Sequence, residues 1–289
     1  MKVLYTSDLH GEIDLYHQLF ELARDSSAEM IALGGDLLPT LRGSGQYEEM
    51  ALEQKSFIGQ FLIPFLKRCF STAEVKQFLL IPGNWDMGYP DLFAVPVEGV
   101  IDLDRKKFAV NGYEWIGYPF VPPTPFRPKD YEKMDDPYAP WPPQKNPSYI
   151  RSADPAHPLK PIDPHLYLRQ RGTIREDLTQ LPMPNNFQRA IYIMHSPSYG
   201  TKLDVIRGGQ SVGSRSIRGF IETRQPPLTL HGHIHESPEL SGHYLDWLGK
   251  TLSINPGQSL RTDGGFTKLH AVTFEMENPE KTLIHTCYG

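Results

Sequence analysis

Three short apolar runs in the first third of the chain, Lys2–Thr6, Met30–Leu33 and residues 78–81, all stop at the same kind of sequence. The first runs into SDLHG (7–11), the second into GGD (34–36) and the third into PGNWD (82–86). Apolar runs of this length bounded by turn residues read as buried strands. Between them, residues 13–23 and 47–70 carry apolar side chains at helical spacing. Alternating strands and helices predict an α/β fold with a largely parallel sheet, and such sheets bind ligands beyond the carboxyl ends of their strands. The three polar clusters are therefore expected to meet in one place.

The texture changes near residue 100. Shorter β-type runs at 100–103, Lys107–Val110 and Tyr113–Tyr118 lead into a segment from 119 to 184 that holds 16 of the 27 prolines. Proline fixes φ and removes a backbone donor, so this segment can hold neither long helices nor central strands. Tyr131, Tyr138, Trp141, Tyr149 and Tyr167 make it too aromatic for a simple flexible linker. An ordered or partly ordered insertion at about 119–185 is expected, within one domain spanning 1–289. Regular structure resumes at Ala190–Met194, which runs into His195. A helix is expected over 216–224, a strand at Leu228–Leu230, and β-type runs at 251–254, 268–275 and 281–287.

Composition narrows the function. With 39% hydrophobic and 22% charged residues the chain reads as an ordinary globular protein. Its net charge of −5 and lack of a long basic run argue against general nucleic-acid binding, while a small phosphate ester remains compatible. The two cysteines, Cys69 and Cys287, show no C-x-x-C spacing. That argues against a disulfide scaffold or a thiolate metal site and for a reducing, cytoplasmic setting. The opening MKVLYTSDLHG turns polar too early for a signal-peptide core, and no apolar run approaches a membrane-spanning length.

Residues 231–237, HGHIHES, hold three histidines on alternate positions: His231, His233 and His235. A His-rich solvated loop is one reading. A metal site is the other, because neutral imidazole is the commonest metal ligand. The second reading demands carboxylates and further nitrogen ligands elsewhere. Asp8, His10, Asp36, Asn84 and His195 answer it, each behind a strand-like run and beside glycine or another tight-turn residue. Singly, each has an ordinary role: Asp8 a cap, Asn84 a turn residue, His195 a buried, satisfied imidazole. Their joint occurrence in this order is poorly explained by chance.

The order D-x-H, G-D, G-N-x-D, H, G-H-x-H resembles the calcineurin-like metallophosphoesterase family, matching from Asp8 to His235, and INPG (254–257) is similar to a family turn. The resemblance implies a four-layer α/β/β/α sandwich of two mixed sheets flanked by helices, with the site at one edge. It also implies a dinuclear centre. Asp8, His10, Asp36 and His235 would hold one ion; Asp36, Asn84, His195 and His233 would hold the other, with Asp36 bridging. Such ligands suit divalent or trivalent Mn, Fe, Zn or Ni. His231 is left as a strand residue or a donor behind the ligands. The implied reaction is hydrolysis of a phosphate ester, in which a water held between ions roughly 3.5–4 Å apart attacks phosphorus in line. Asp36, Asn84 and Asp86 are the catalytic candidates. The chain shows no P-loop and no convincing serine or cysteine nucleophile motif, which fits a reaction without a phosphoenzyme.

Two departures from the family stand out. Its usual GNHD or GNHE reads Gly83-Asn84-Trp85-Asp86 here. The missing histidine normally faces the substrate, where it can protonate the leaving oxygen. A positioned general acid is worth about 10²–10⁴-fold, so poor alkoxide leaving groups should suffer most. Members of the family that lack this histidine lean toward phosphodiesters or activated aryl esters, so the resemblance implies a substrate of that kind, with Trp85 either stacking on a base or aryl group or packing beside the site. The GD motif also differs, since Asp36-Leu37-Leu38-Pro39 lacks the usual polar residue three positions on.

The insertion has two readings. It is a lid whose aromatic residues and Arg127, Lys129 or Arg151 meet substrate, or an arm that covers a sheet edge or joins copies of the chain into a homo-oligomer. Arg215 and Arg218 read as helix-surface charges rather than phosphate clamps. Beside a phosphoesterase stand a binding or scaffold protein on the same fold, disfavoured by the intact ligand set, and a nuclease, disfavoured by the acidic balance. The expected partner is a small phosphate ester, with no membrane.

Overall fold

A computed structural model describes residues 1–40, 46–154, 156–258 and 268–288; Pro155, one of the insertion's prolines, lies outside them. The strands begin β1 (Lys2–Thr6), β2 (Met30–Leu33), β3 (Gln77–Leu80), β4 (Val100–Asp102), β5 (Lys107–Val110), β6 (Tyr113–Tyr118) and β7 (Ser148–Arg151). They continue β8 (Leu159–Ile162), β9 (Ala190–Met194), β10 (Leu228–Leu230), β11 (Leu245–Leu248), β12 (Thr251–Ile254), β13 (Leu269–Glu275) and β14 (Ile284–Tyr288). Two six-stranded sheets result, in the orders β14-β13-β1-β2-β3-β4 and β11-β12-β10-β9-β6-β5. β1 to β4 are parallel, as are β6, β9, β10 and β12. β13, β14, β5 and β11 join antiparallel to their neighbours, so both sheets are mixed.

Side-chain alternation builds three apolar layers. Val3, Tyr5, Met30, Ala32, Leu79 and Ile81 meet Ile191, Ile193, Leu230 and Ile254 between the sheets. Leu4, Ile31, Leu33 and Phe78 face the other way, onto Leu15, Leu19, Leu62 and Phe65 of the helices Ile13–Ser26 and Tyr47–Thr72. On the far side, Tyr118, Tyr192 and Met194 pack against Ile174, Leu178, Ile217 and Ile221 of two further helices. The order helix, sheet, sheet, helix is the four-layer sandwich. Strands covered on both faces have no solvent side, which is why they read as unbroken apolar runs.

The structure adjusts two elements. The helical stretch over 47–70 is three pieces, Tyr47–Phe57, a π turn at Ile58–Leu62 and Ile63–Thr72. Pro64 has no N–H to give the preceding turn, and a local π turn absorbs the break in the α ladder. The final strand starts at Ile284 rather than 281, because Pro279–Thr282 forms a short turn of helix.

The proline-rich segment carries regular structure among its described residues. β7 and β8 pair antiparallel, and the short helices Pro164–Gln170 and Ile174–Gln180 are capped by Asp163 and by a Thr173–Glu176 capping box. Its interior contains Lys129 and Glu132, both fully buried and paired at 2.7 Å, with Thr124 donating to the same carboxylate through its N–H and hydroxyl. Asp135 accepts the Ser214 hydroxyl and the Arg215 and Ser216 N–H groups, which fastens the insertion to the start of the helix Arg215–Arg224. Lys129 is thereby unable to meet substrate. Arg151 pairs with Asp91 at 2.5 Å, and Arg127 donates to the Pro147 carbonyl. Arg215 lies 3.4 Å over the Tyr199 ring and Arg218 pairs with Glu222, both as surface charges of their helix. Among the described residues, no helix is long and apolar enough to cross a membrane.

Candidate metal centre

Asp8 and His10 follow β1, Asp36 follows β2, Asn84 follows β3, His195 follows β9, and His233 and His235 follow β10. The fold brings these strand ends together. Ligand atoms of Asp8, His10, Asp36 and His235 lie within 4.8 Å of one another, and so do those of Asp36, His195 and His233. Asp36 belongs to both groups. Its Oδ2 is 3.4 Å from His195 Nε2 and 3.8 Å from His10 Nε2. His235 Nε2 is 3.2 Å from Asp8 Oδ1 and 3.0 Å from His10 Nε2. Asp8, His10, Asp36, Asn84 and His195 are buried, while His233 and His235 form the half-exposed side.

The backbone at this edge is unusual. Asp8, His10, Asp36 and His233 have φ of 61°, 46°, 52° and 66°. The left-handed region costs a non-glycine residue about 1–2 kcal/mol, and such positions cluster at functional sites. Two glycines allow the close approach. A Cβ at Gly83 would lie 2.2 Å from Asp36 Oδ1, and one at Gly232 would lie 2.5 Å from Asp8 Oδ2.

Hydrogen bonds aim the side chains. His195 Nδ1 donates to the Gly34 carbonyl at 2.7 Å, which turns Nε2 toward Asp36. The Asp8 carboxylate accepts the His233 N–H at 3.0 and 3.1 Å, and Asp36 Oδ1 accepts the Trp85 N–H at 2.8 Å. Asp86 accepts the N–H groups of Leu37, Leu38 and Gly83 at 2.9–3.0 Å, tying the Asp36 loop to the Asn84 loop. His231, fully buried, sets Nδ1 against the Met194 and Ser196 carbonyls and Nε2 against Thr229, behind the candidate ligands. Two further supports follow β12: Asn255, in the INPG turn that the sequence offered, and Gln258, which no motif marked. Asn255 Nδ2 donates to the carbonyls of Leu203, Gly232 and Ile234, and Gln258 joins the His235 carbonyl to that of Ser7.

Electrostatics favour bound positive charge. Burial pushes His10 down to about 4 and His233 to about 3, keeping both imidazoles neutral, the ligating form. Burial would also lower His195, but Asp36 outweighs it and raises the ring to about 9. Burial and then the Asp36 charge raise Asp86 to about 7. His10 Nδ1, His195 Nε2 and both side-chain polar atoms of Asn84 are buried without a hydrogen-bond partner. A buried unsatisfied polar group costs about 1–3 kcal/mol. The unpartnered Asn84 Oδ1, and His195 Nε2 once its proton is displaced, lie beside two carboxylates and fit a pair of cations.

The Trp85 ring is half-buried, with its centroid 5.1 Å from that of Phe126. The insertion thus reaches Trp85, next in sequence to Asn84, through Phe126, a residue that no local motif marked, and the indole also packs against Met50, Met87 and Leu159.

Two mixed sheets between helices, with one carboxylate common to two ligand clusters at the strand ends, define a metal-dependent hydrolase. A model described as calcineurin-like phosphoesterase matches residues 1–237, and the chain belongs to that family of dinuclear metal-dependent phosphoesterases. Among solved structures, it is similar to a dimetal phosphatase from Danio rerio at 10% identity and a TM-score of 0.56, over 100% of this chain and 96% of that one. It is similar to TT1561 of Thermus thermophilus at 17% identity and a TM-score of 0.53, over 99% and 98% of the two chains. Those two likenesses show the fold. No curated protein matches the chain.

Proposed function

We propose that this phosphoesterase prefers phosphodiesters or activated aryl esters. The observation that carries the reading is Trp85, an indole in the family's usual histidine position, set against Phe126. Asp8, His10, Asp36 and His235 would hold one transition-metal ion, and Asp36, Asn84, His195 and His233 the other; Mn, Fe, Zn and Ni all suit these donors. The partnerless Asn84 atoms and the membership of Asp36 in both clusters support that assignment. When bound, the ions supply Lewis acidity and an activated water near neutral pH.

The chain's own residues do the rest. Asp36 and Asn84 would place the reacting groups. Asp86 is a positioning residue, because its oxygens are taken up by backbone N–H groups. Trp85 has no proton to give a leaving alkoxide, so departure relies on the leaving group's own stability, as in an aryl mono- or diester. Trp85 and Phe126 would orient a planar substituent by stacking. On the same reading, residues 1–289 form one domain carrying the 119–185 insertion, and the unpaired Cys69 and Cys287 support a reducing, cytoplasmic setting. Metal analysis of the purified protein, followed by rates on matched mono- and diesters, tests the reading. Two ions per chain and faster diester turnover are expected; a preference for unactivated monoesters would overturn it.

A further inference from the structure

The last two strands assemble a second cluster that shares no residue with the dinuclear centre. In the antiparallel register, His270 of β13 lies opposite Cys287 of β14, and Val272 lies opposite His285. Side chains alternate along a strand, so His285 and Cys287, two positions apart, share the face that carries His270. Val272 and Phe274 on this face belong to the layer between the sheets, so the three residues sit where that layer meets the sandwich edge. One donor atom from each lies within 4.8 Å of the other two. Nothing in the sequence spacing announces this, because strand pairing rather than a C-x-x-C motif creates it.

We propose that His270, His285 and Cys287 form a third, mononuclear metal site that takes zinc. Zinc bonds of about 2.3 Å to sulfur and 2.0 Å to nitrogen, at a tetrahedral angle, put those two atoms roughly 3.5 Å apart. Cys287 Sγ is 3.8 Å from His270 Nδ1, so the donors need only a small closure. His285 is oriented from behind. Its Nε2 donates to the Pro256 carbonyl at 3.1 Å and its ring stacks on Tyr244 at 4.3 Å, which leaves the other ring nitrogen with its lone pair. Metal-bound histidines are held in this way by a carbonyl behind them. Burial lowers both imidazoles, which favours the neutral form. Cys287 is exposed, giving an entry path and room for a water as fourth ligand. One thiolate with two imidazoles selects zinc over the hard ions that favour all-oxygen sites. On binding, the Cys287 thiol releases its proton to solvent and its sulfur lone pair forms the new bond; no electron is transferred.

The site does not depend on the substrate proposed above, and its test separates the two centres by ligand chemistry. Cobalt(II) is titrated into the metal-depleted full-length chain. A thiolate-to-cobalt charge-transfer band in the near ultraviolet requires a sulfur ligand, and the dinuclear centre offers only nitrogen and oxygen. The band is expected in the parent chain and in Cys69→Ser, is absent in Cys287→Ser, and is bleached by zinc. Zinc should also slow alkylation of Cys287 on the order of tenfold, since the bound thiolate is no longer free to attack. His285→Gln should weaken both effects while circular dichroism confirms the fold. Absence of the band at a cobalt excess that fills the dinuclear centre, its persistence in Cys287→Ser, or an alkylation rate indifferent to zinc would each overturn the proposal.

Discussion

The backbone N–H of Trp85 donates to Asp36 Oδ1 at 2.8 Å. The residue after Asn84 therefore serves the shared carboxylate through its main chain, whatever side chain it bears. Trp85→His should keep both ions, because that bond survives the substitution. Turnover of an alkyl phosphomonoester should rise by some part of the ~10²–10⁴ that a general acid supplies, while an activated diester gains little. Metal content and kcat on the two substrates check this. An unchanged monoester rate with metal and fold intact would dismiss the missing-acid account.

Phe126 tests the other face of the same residue. Aromatic pairs contribute about 0.5–1.5 kcal/mol beyond area burial, so Phe126→Ala should raise KM for an aryl diester about two- to tenfold. A methyl diester should be affected less, and metal content should stay constant. Equal shifts for both substrates would remove the stacking role.

Asp36 is common to both ligand clusters, whereas Asn84 is proposed for one. Asp36→Ala should strip metal from both positions and Asn84→Ala from one, as read by elemental analysis of dialysed protein. Two retained ions in Asp36→Ala would refute the bridge.

Inside the insertion, Lys129 and Glu132 are paired with no exposure to solvent. Lys129→Met alone leaves a buried carboxylate uncompensated and should cost about 3–5 kcal/mol in urea unfolding. Lys129→Met with Glu132→Leu should recover most of that loss. A single variant as stable as the parent would mean that the carboxylate is protonated in the folded chain.

Strand ends were easy to read because the signals are local: an apolar run and then Gly, Asp, Asn or His within a few residues, as at Asp8, Asp36 and Asn84. The sheet order places those ends along one edge, so a list of strand termini doubles as a list of site residues. Other features are set by partners far away in sequence. Asp135 meets Ser214 across 79 positions, and Phe126 meets Trp85 from within the insertion. The His270–Cys287 pairing depends on the β13–β14 register, which no spacing rule in the sequence encodes. The π turn before Pro64 was hidden for a different reason, since the apolar spacing on either side of it reads as one helix.

The left-handed backbone at Asp8, His10, Asp36 and His233 also bears on the history of the chain. Each of these positions would rest more easily as glycine or asparagine, and point changes that ease a fold are readily accepted once a function is no longer needed. A lineage that had turned this fold into a mere scaffold would have had four independent downhill routes away from its ligands. This chain carries a carboxylate or an imidazole at all four, so the strained backbone is kept together with side chains of metal-ligand type.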